Sequence, residues 1–193
     1  LNMGDLGVGT LLCLSPVAAE ASPPIEFGAY LGGSFALGES GLGNPYFVDQ
    51  QPRPSFTLGL RGAWWFRPEL SAEFAFDYSP TSTVGALTAG RPGISTTLLG
   101  AHASGRYTLF ARRSLRPFGV FGASVAAYLG EAPTHYALQT PDVDVGLHWG
   151  LGLEFDPGLR AVQAVRLDAR HLLFPVQDRT YSIVVLNVGV VFR

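Results

Sequence analysis

The sequence predicts an all-β fold, an eight-stranded antiparallel up-and-down transmembrane β-barrel. Three observations carry that expectation. Segment after segment alternates apolar residues with polar or side-chain-free ones at a period of two. The connections between these segments run long, short, long, short along the chain, as they do when all the tight turns lie at one rim. Charged residues make up 15 % of the chain, under the roughly 25 % of an ordinary soluble domain, and all 13 basic residues are Arg, so the usual Lys-rich solvated surface is missing.

The clearest segment is Asp142 to Phe155. Val143, Val145, Leu147, Trp149, Leu151, Leu153 and Phe155 alternate with Asp142, Asp144, Gly146, His148, Gly150, Gly152 and Glu154. At ~3.3 Å per residue this strand is about 46 Å long, and tilted by about 45° it crosses the hydrocarbon layer of a bilayer.

The first twenty-odd residues read as a leader. Leu6 to Val17 is a short apolar run followed by the small residues Val17-Ala18-Ala19-Glu20-Ala21, which fits a signal-peptide cleavage site; residues 1–21 are assigned to the signal peptide and 22–193 to the barrel domain. Asp5, and no basic residue, precedes the run. Cys13 and Met3 are the only sulfur-bearing residues, so cleavage leaves a chain with neither, compatible with an oxidising compartment.

The strands follow in order. Glu26–Leu37 sets Phe27, Ala29, Leu31, Phe35 and Leu37 against Glu26, Gly28, Tyr30, Gly32 and Ser34. Gly38–Pro54, rich in Gly and Pro, is a long loop. Ser55–Phe66 opposes Phe56, Leu58, Leu60, Trp64 and Phe66 to Thr57, Gly59 and Arg61; after the turn at Arg67-Pro68-Glu69, Leu70–Tyr78 opposes Leu70, Ala72, Phe74, Phe76 and Tyr78 to Ser71, Glu73, Ala75 and Asp77. Ser79–Gly93 is the second long loop.

Ile94–Phe110 sets Leu99, Ala101, Ala103, Tyr107 and Leu109 against Gly100, His102, Ser104 and Arg106. A short basic turn, Ala111–Arg116, leads to Pro117–Leu129, where Phe121, Val125 and Leu129 face away from Gly122, Ser124 and Tyr128. Gly130–Pro141 is the third long loop, and Asp156-Pro157-Gly158 the next tight turn. In Gln163–Leu173 two periods compete: Leu159, Val162, Val165 and Leu172 fit a helix face, while Val165, Leu167, Ala169 and Leu173 alternate with Arg166, Asp168 and Arg170. The strand is the reading adopted. Tyr181–Phe192 closes the chain, with Val184, Leu186, Val188, Val190 and Phe192 opposite Asn187 and Gly189.

Alternation alone also suits a soluble, lipocalin-like ligand-binding barrel with its apolar face inward. Three features favour the reverse. The apolar face is bulky and the other small, which suits the narrow lumen of eight strands. Aromatics gather at strand ends, with Phe27, Trp64, Trp65, Phe66, Tyr107, Phe110, Phe118, Phe155 and Phe192 toward the short turns and Phe35, Tyr78, Tyr128 and Tyr181 toward the long loops. Arg on a lipid face costs about 2–4 kcal/mol at mid-membrane, and turning Arg61, Arg106, Arg166 and Arg170 inward avoids it.

On this pattern the chain resembles the small bacterial outer-membrane β-barrels of the eight-stranded OmpA and OmpX type over Glu26–Arg193. The resemblance implies an outer-membrane location, short periplasmic turns, contact with membrane lipid and lipopolysaccharide, delivery by the outer-membrane insertion machinery, and a monomer. Those relatives commonly end on the terminal aromatic, whereas here Arg193 follows Phe192.

The inward face is expected to hold an ion-pair network of Glu26, Arg61, Glu73, Asp77, His102, Arg106, Asp144, His148, Glu154, Arg166, Asp168 and Arg170. Arg61 is expected to meet Glu73 across one turn, and Glu154 to meet Arg166 across another. Phe27, Trp64, Trp65, Phe66, Tyr107, Phe155 and Phe192 are expected at the membrane interface. A closed, charge-filled lumen leaves function to the long loops, whose Tyr46, Phe47 and Tyr136 suit contact with a surface ligand.

Two alternatives share the scaffold. One is a narrow gated pore. The other is a lipid A-modifying enzyme built on His102 and Ser104, for which no carboxylate falls at a convincing spacing. His135 and His171 look isolated, no metal-ligand spacing occurs, and no cofactor is expected. A net charge of −2 leaves no basic surplus for nucleic acid.

Overall fold

In the computed structural model the chain is described over residues 25–37, 51–52, 54–84, 95–130, 142–176 and 179–192. The strands are β1 (Ile25–Leu37), the two-residue β2 (Gln51–Pro52), β3 (Ser55–Arg67), β4 (Leu70–Val84), β5 (Ser95–Thr108), β6 (Leu115–Gly130), β7 (Asp142–Phe155), β8 (Val162–Val176) and β9 (Arg179–Phe192). The eight long strands pair antiparallel with their chain neighbours, and β1 closes on β9, so no long edge stays unpaired. Residues 1–21, expected to be a signal peptide, and most of the three long connections lie outside the described residues.

The wall rises higher than the sequence suggests on one side. β4 runs on past Tyr78 to Val84, pairing with β5 up to Ser82 opposite Ser95, and β2 adds to its end, Gln51 opposite Val84. What reads as the start of a loop at Ser79 and Pro80 is therefore strand.

Period two decides which side chain meets what. Leu151 is 75 % exposed and Phe76 66 %, while Glu73 and His148 are fully buried. A soluble protein of this size would not leave a continuous belt of Leu, Val and Phe in water. The exterior is that of a membrane-spanning barrel, and the polar residues line its axis.

β8 is a strand, and the competing helical period has a local cause. The β8–β9 register shifts between Val162 and Ala164, a bulge that buries the consecutive residues Gln163 and Ala164. Beyond it Arg166, Asp168 and Arg170 resume the inward alternation.

The short turns are tight. Gly158 takes the left-handed φ of 70° that its turn requires, and its amide donates to Asp156 Oδ1 at 2.8 Å. Trp65 departs from its expected place at the membrane interface. Alternation between Trp64 and Phe66 turns its ring inward, where the Arg106 guanidinium lies 4.4 Å from the ring centroid. Phe118 likewise points inward, between Arg166 (4.1 Å) and Arg106 (5.3 Å). Phe27, Trp64, Phe66, Tyr107, Phe155 and Phe192 do lie on the outer surface.

Candidate functional site

The lumen divides into three layers, set by how far along each strand its inward residues fall. Nearest the short turns, Arg61, Arg106, Arg166 and Arg170 meet Glu26, Glu73, Glu154 and Asp168, four guanidinium groups against four carboxylates, all buried. Glu73 accepts from Nη1 and Nη2 of Arg166 and from Arg170 Nη2 at 2.5 Å. Arg106 Nη1 lies 2.9 Å from Glu154 Oε1, and Arg61 Nη1 donates to Asp168 Oδ2 at 2.9 Å. Asp168 Oδ1 also accepts from Arg170 Nε at 3.2 Å and from Asn187 Nδ2 at 3.1 Å. Gln163 Nε2 donates to Glu26 at 3.0 Å.

These contacts correct one expected pair. Arg61 does not hydrogen-bond Glu73; its partner is Asp168, on a strand three places away around the wall. Register explains this. Arg61 stands beside Ala75 and Glu73 beside Ala63, so the two side chains are offset along the wall, and a long guanidinium reaches across the narrow bore instead. Glu154 and Arg166 are direct register partners, their charged atoms 3.8 Å apart.

The small residues opposite make room for this packing. A Cβ on Gly152 would come within 2.2 Å of the Phe118 ring, and one on Gly59 within 2.1 Å of Tyr30. Gly59 on β3 and Gly146, Gly150 and Gly152 on β7 leave the space that Tyr30, Phe174, Arg170 and Phe118 occupy.

Above the ion cluster lies a hydrogen-bonded chain. Tyr30 Oη donates to Asp77 Oδ1; Asp77 Oδ2 sits 2.7 Å from His102 Nε2; His102 Nδ1 is 2.8 Å from Ser124 Oγ. Ser124 Oγ is in turn 2.8 Å from His148 Nδ1, and His148 Nε2 3.1 Å from Ser104 Oγ. The two imidazoles meet edge to face with centroids 5.4 Å apart. So a carboxylate does stand beside His102, contrary to the expectation from spacing, because Asp77 comes from the neighbouring strand. Ser104 belongs to His148, and the serine of His102 is Ser124.

An Asp–His–Ser sequence of contacts has the composition of a hydrolytic triad. Its surroundings are wrong for one. Ser124 Oγ is shared between two imidazoles and has no exposed surface, so no acyl group can approach it.

The third layer closes the bore. Ala126, Leu172, Phe174, Ile183 and Val185 form a buried apolar cluster with Leu98 packed against it. Facing it, Ser34, Ser55 and Thr57 gather around Ser79 Oγ at 3.2–3.3 Å. Between the two sides remains a void of about 20 Å³, room for about one water.

All twelve expected lumen residues point inward, Asp144 among them near the upper end. The contribution of Tyr30, Ser124, Phe118 and the apolar layer is not evident from the sequence, although period two already puts each on the inward face. His171 faces the other way, edge-on to Trp149 at 4.5 Å between centroids; His135 lies outside the described residues.

No family model matches the chain, and no curated protein matches its sequence. Solved structures match its fold. Neisserial surface protein A superposes with a TM-score of 0.64 at 12 % identity, covering 88 % of this chain and 97 % of that one. The outer membrane protein OprG of Pseudomonas aeruginosa gives 0.53 at 11 % identity, with 87 % and 96 % covered. Ail, the attachment invasion locus protein of Yersinia pestis, in complex with the heparin analogue sucrose octasulfate, gives 0.50 at 12 %, with 88 % and 100 % covered. The architecture is that of the small eight-stranded bacterial outer-membrane barrels.

Proposed function

We propose that the chain is a structural and surface-contact barrel of the bacterial outer membrane. Its lumen stays closed, and the connections at residues 38–54, 85–94 and 131–141 meet the outside. The observation that carries this is the double closure of the bore, by the ion cluster below and by Leu172, Phe174, Ile183 and Val185 above. A bore filled at two levels passes no solute, and the fully buried Ser124 serves no substrate. What remains for recognition is the connections.

Their composition narrows the ligand. Glu39, Asp49, Arg53, Arg91 and Glu131 give these segments a slight negative balance. Ail's structure holds a polyanion, but these loops lack the basic surplus that a polyanion needs. A neutral or aromatic-stacking surface partner suits Tyr46, Phe47 and Tyr136 better.

Two measurements test the reading. Single-channel recording of the protein, Glu73→Ala and Arg61→Ala should show no conductance; steady openings in any of them would favour the gated pore. Replacing residues 131–141 with a Gly-Ser linker should abolish contact between expressing cells and their target surface; contact unchanged by exchange of all three loops would overturn the surface role.

A further inference from the structure

The three short turns join into one collar. Thr108 N, at the end of β5, donates to Glu69 O at 2.8 Å, linking the β3–β4 turn to the base of the β5–β6 turn, and Asp156 N donates to Ser114 O at 3.1 Å, linking the β5–β6 turn to the β7–β8 turn. Along this collar Arg67, Arg112, Arg113 and Arg160 are exposed. The carboxylates beside them are Glu69, half-buried, and Asp156, engaged with the Gly158 amide. Arg116 is tied inward, 3.7 Å from Glu154. Among the described residues, no salt bridge engages any of the four exposed guanidinium groups, so the rim is electropositive in a chain whose total charge is −2.

The collar sits directly on the apolar belt. Phe66, Tyr107, Leu109, Phe110 and Leu115 are exposed just beside it. The β5–β6 turn binds the two together, because Arg113 N donates to Phe110 O at 2.8 Å and the Arg113 guanidinium lies 5.0 Å from the Phe110 ring centroid.

We propose that this collar is a binding site for anionic phospholipid headgroups in the leaflet it faces. Arg112 and Arg113 take the phosphate, with Arg67 and Arg160 on the flanking turns, while Leu109, Phe110 and Leu115 lie against the acyl chains. Guanidinium matches phosphate oxygens in a two-pronged fork. Positive charge placed at the edge of a lipid-facing belt meets headgroups at the depth where they lie. A soluble acidic partner would leave that belt uncovered, which is why lipid is the occupant favoured. The inference rests on the reading that the belt faces a bilayer.

Native mass spectrometry of the full barrel, inserted into mixed bilayers of phosphatidylglycerol and phosphatidylcholine and then released, tests it. The protein should retain phosphatidylglycerol in preference, and Arg112→Gln/Arg113→Gln should cut that preference about tenfold or more, as the loss of two cations from an anionic surface implies. Raising salt should weaken it in the same direction. Heat-modifiable migration on a gel shows whether each variant is folded; should that variant not fold, Arg67→Gln/Arg160→Gln serves with the same expectation and a smaller drop. Equal retention of the two lipids, an unchanged preference in the folded variant, or stronger retention of a soluble acidic peptide overturns the site while leaving the barrel in its membrane. Failure of the protein to enter a bilayer overturns the site together with the reading beneath it.

Discussion

Arg61 and Asp168 stand three strands apart around the barrel wall, yet Arg61 Nη1 donates to Asp168 Oδ2 at 2.9 Å with both side chains buried. The contact exists only because the sheet closes; on a flat sheet the two groups would lie on separate strands with no path across. It also ties β3 to β8 through the interior, where the wall itself pairs only neighbours.

Removing one member of that cluster strands the others. Glu73 serves Arg166 and Arg170 together, so Glu73→Ala should destabilise the folded barrel by about 3–5 kcal/mol, the range for breaking a buried ion pair from one side. Urea titration in detergent micelles, read by gel migration, gives the number. A loss under about 1 kcal/mol would mean that the cluster is wet and adjustable.

Space in the lumen is equally fixed. Gly152→Ala puts a Cβ 2.2 Å from Phe118 Cζ and 2.5 Å from Leu167 O. It should cost about 1–3 kcal/mol, as overpacking does, and Phe118→Leu should restore only part, since the backbone oxygen stays. Gly105→Ala, whose nearest neighbour is 4.0 Å away on the outer face, is the matched control and should be close to neutral. Equal effects at both positions would contradict the packing described.

The exterior can be probed with charge. Leu151→Arg, at a site 75 % exposed within the apolar belt, should weaken folding into lipid by about 2–4 kcal/mol, the cost of Arg on a lipid face at mid-membrane. A soluble barrel would accept the same change almost freely. Partition of the variant into the aqueous phase with its fold intact would show that the apolar belt does not meet a membrane.

The Asp77–His102–Ser124 contacts are expected to hold the core together and to leave lipid untouched. Ser124→Ala should lower stability by about 1–3 kcal/mol, because two imidazole nitrogens lose a buried partner, and lipid A from expressing cells should keep its acyl chains. Mass spectra that change with Ser124 or His102 present or absent would restore the enzyme reading.

Much of this architecture is written in local pattern. Leu147, Trp149 and Leu151 could only share a face, and Glu154 opposite Arg166 follows from a tight turn between alternating strands. The interior chemistry is less accessible. Asp77, His102 and Ser124 lie on three strands, so nothing in their spacing along the chain brings them together; only the register, His102 opposite Ser124 and Gly100 opposite Asp77, does so. Trp65 shows the same limit at shorter range: grouped by composition with its aromatic neighbours, it is turned to the lumen by its place between Trp64 and Phe66.

The sequence by itself determined that the chain is a barrel of eight long strands with its apolar face outward, because a period of two and the cost of Arg in lipid are both local properties. Tertiary structure alone decided which guanidinium meets which carboxylate, that Leu172, Phe174, Ile183 and Val185 close the upper bore, and that three turns join into one basic collar. The reason is closure. Bending the sheet into a narrow cylinder brings distant strands within a side chain's reach, and no interval along the chain encodes that distance.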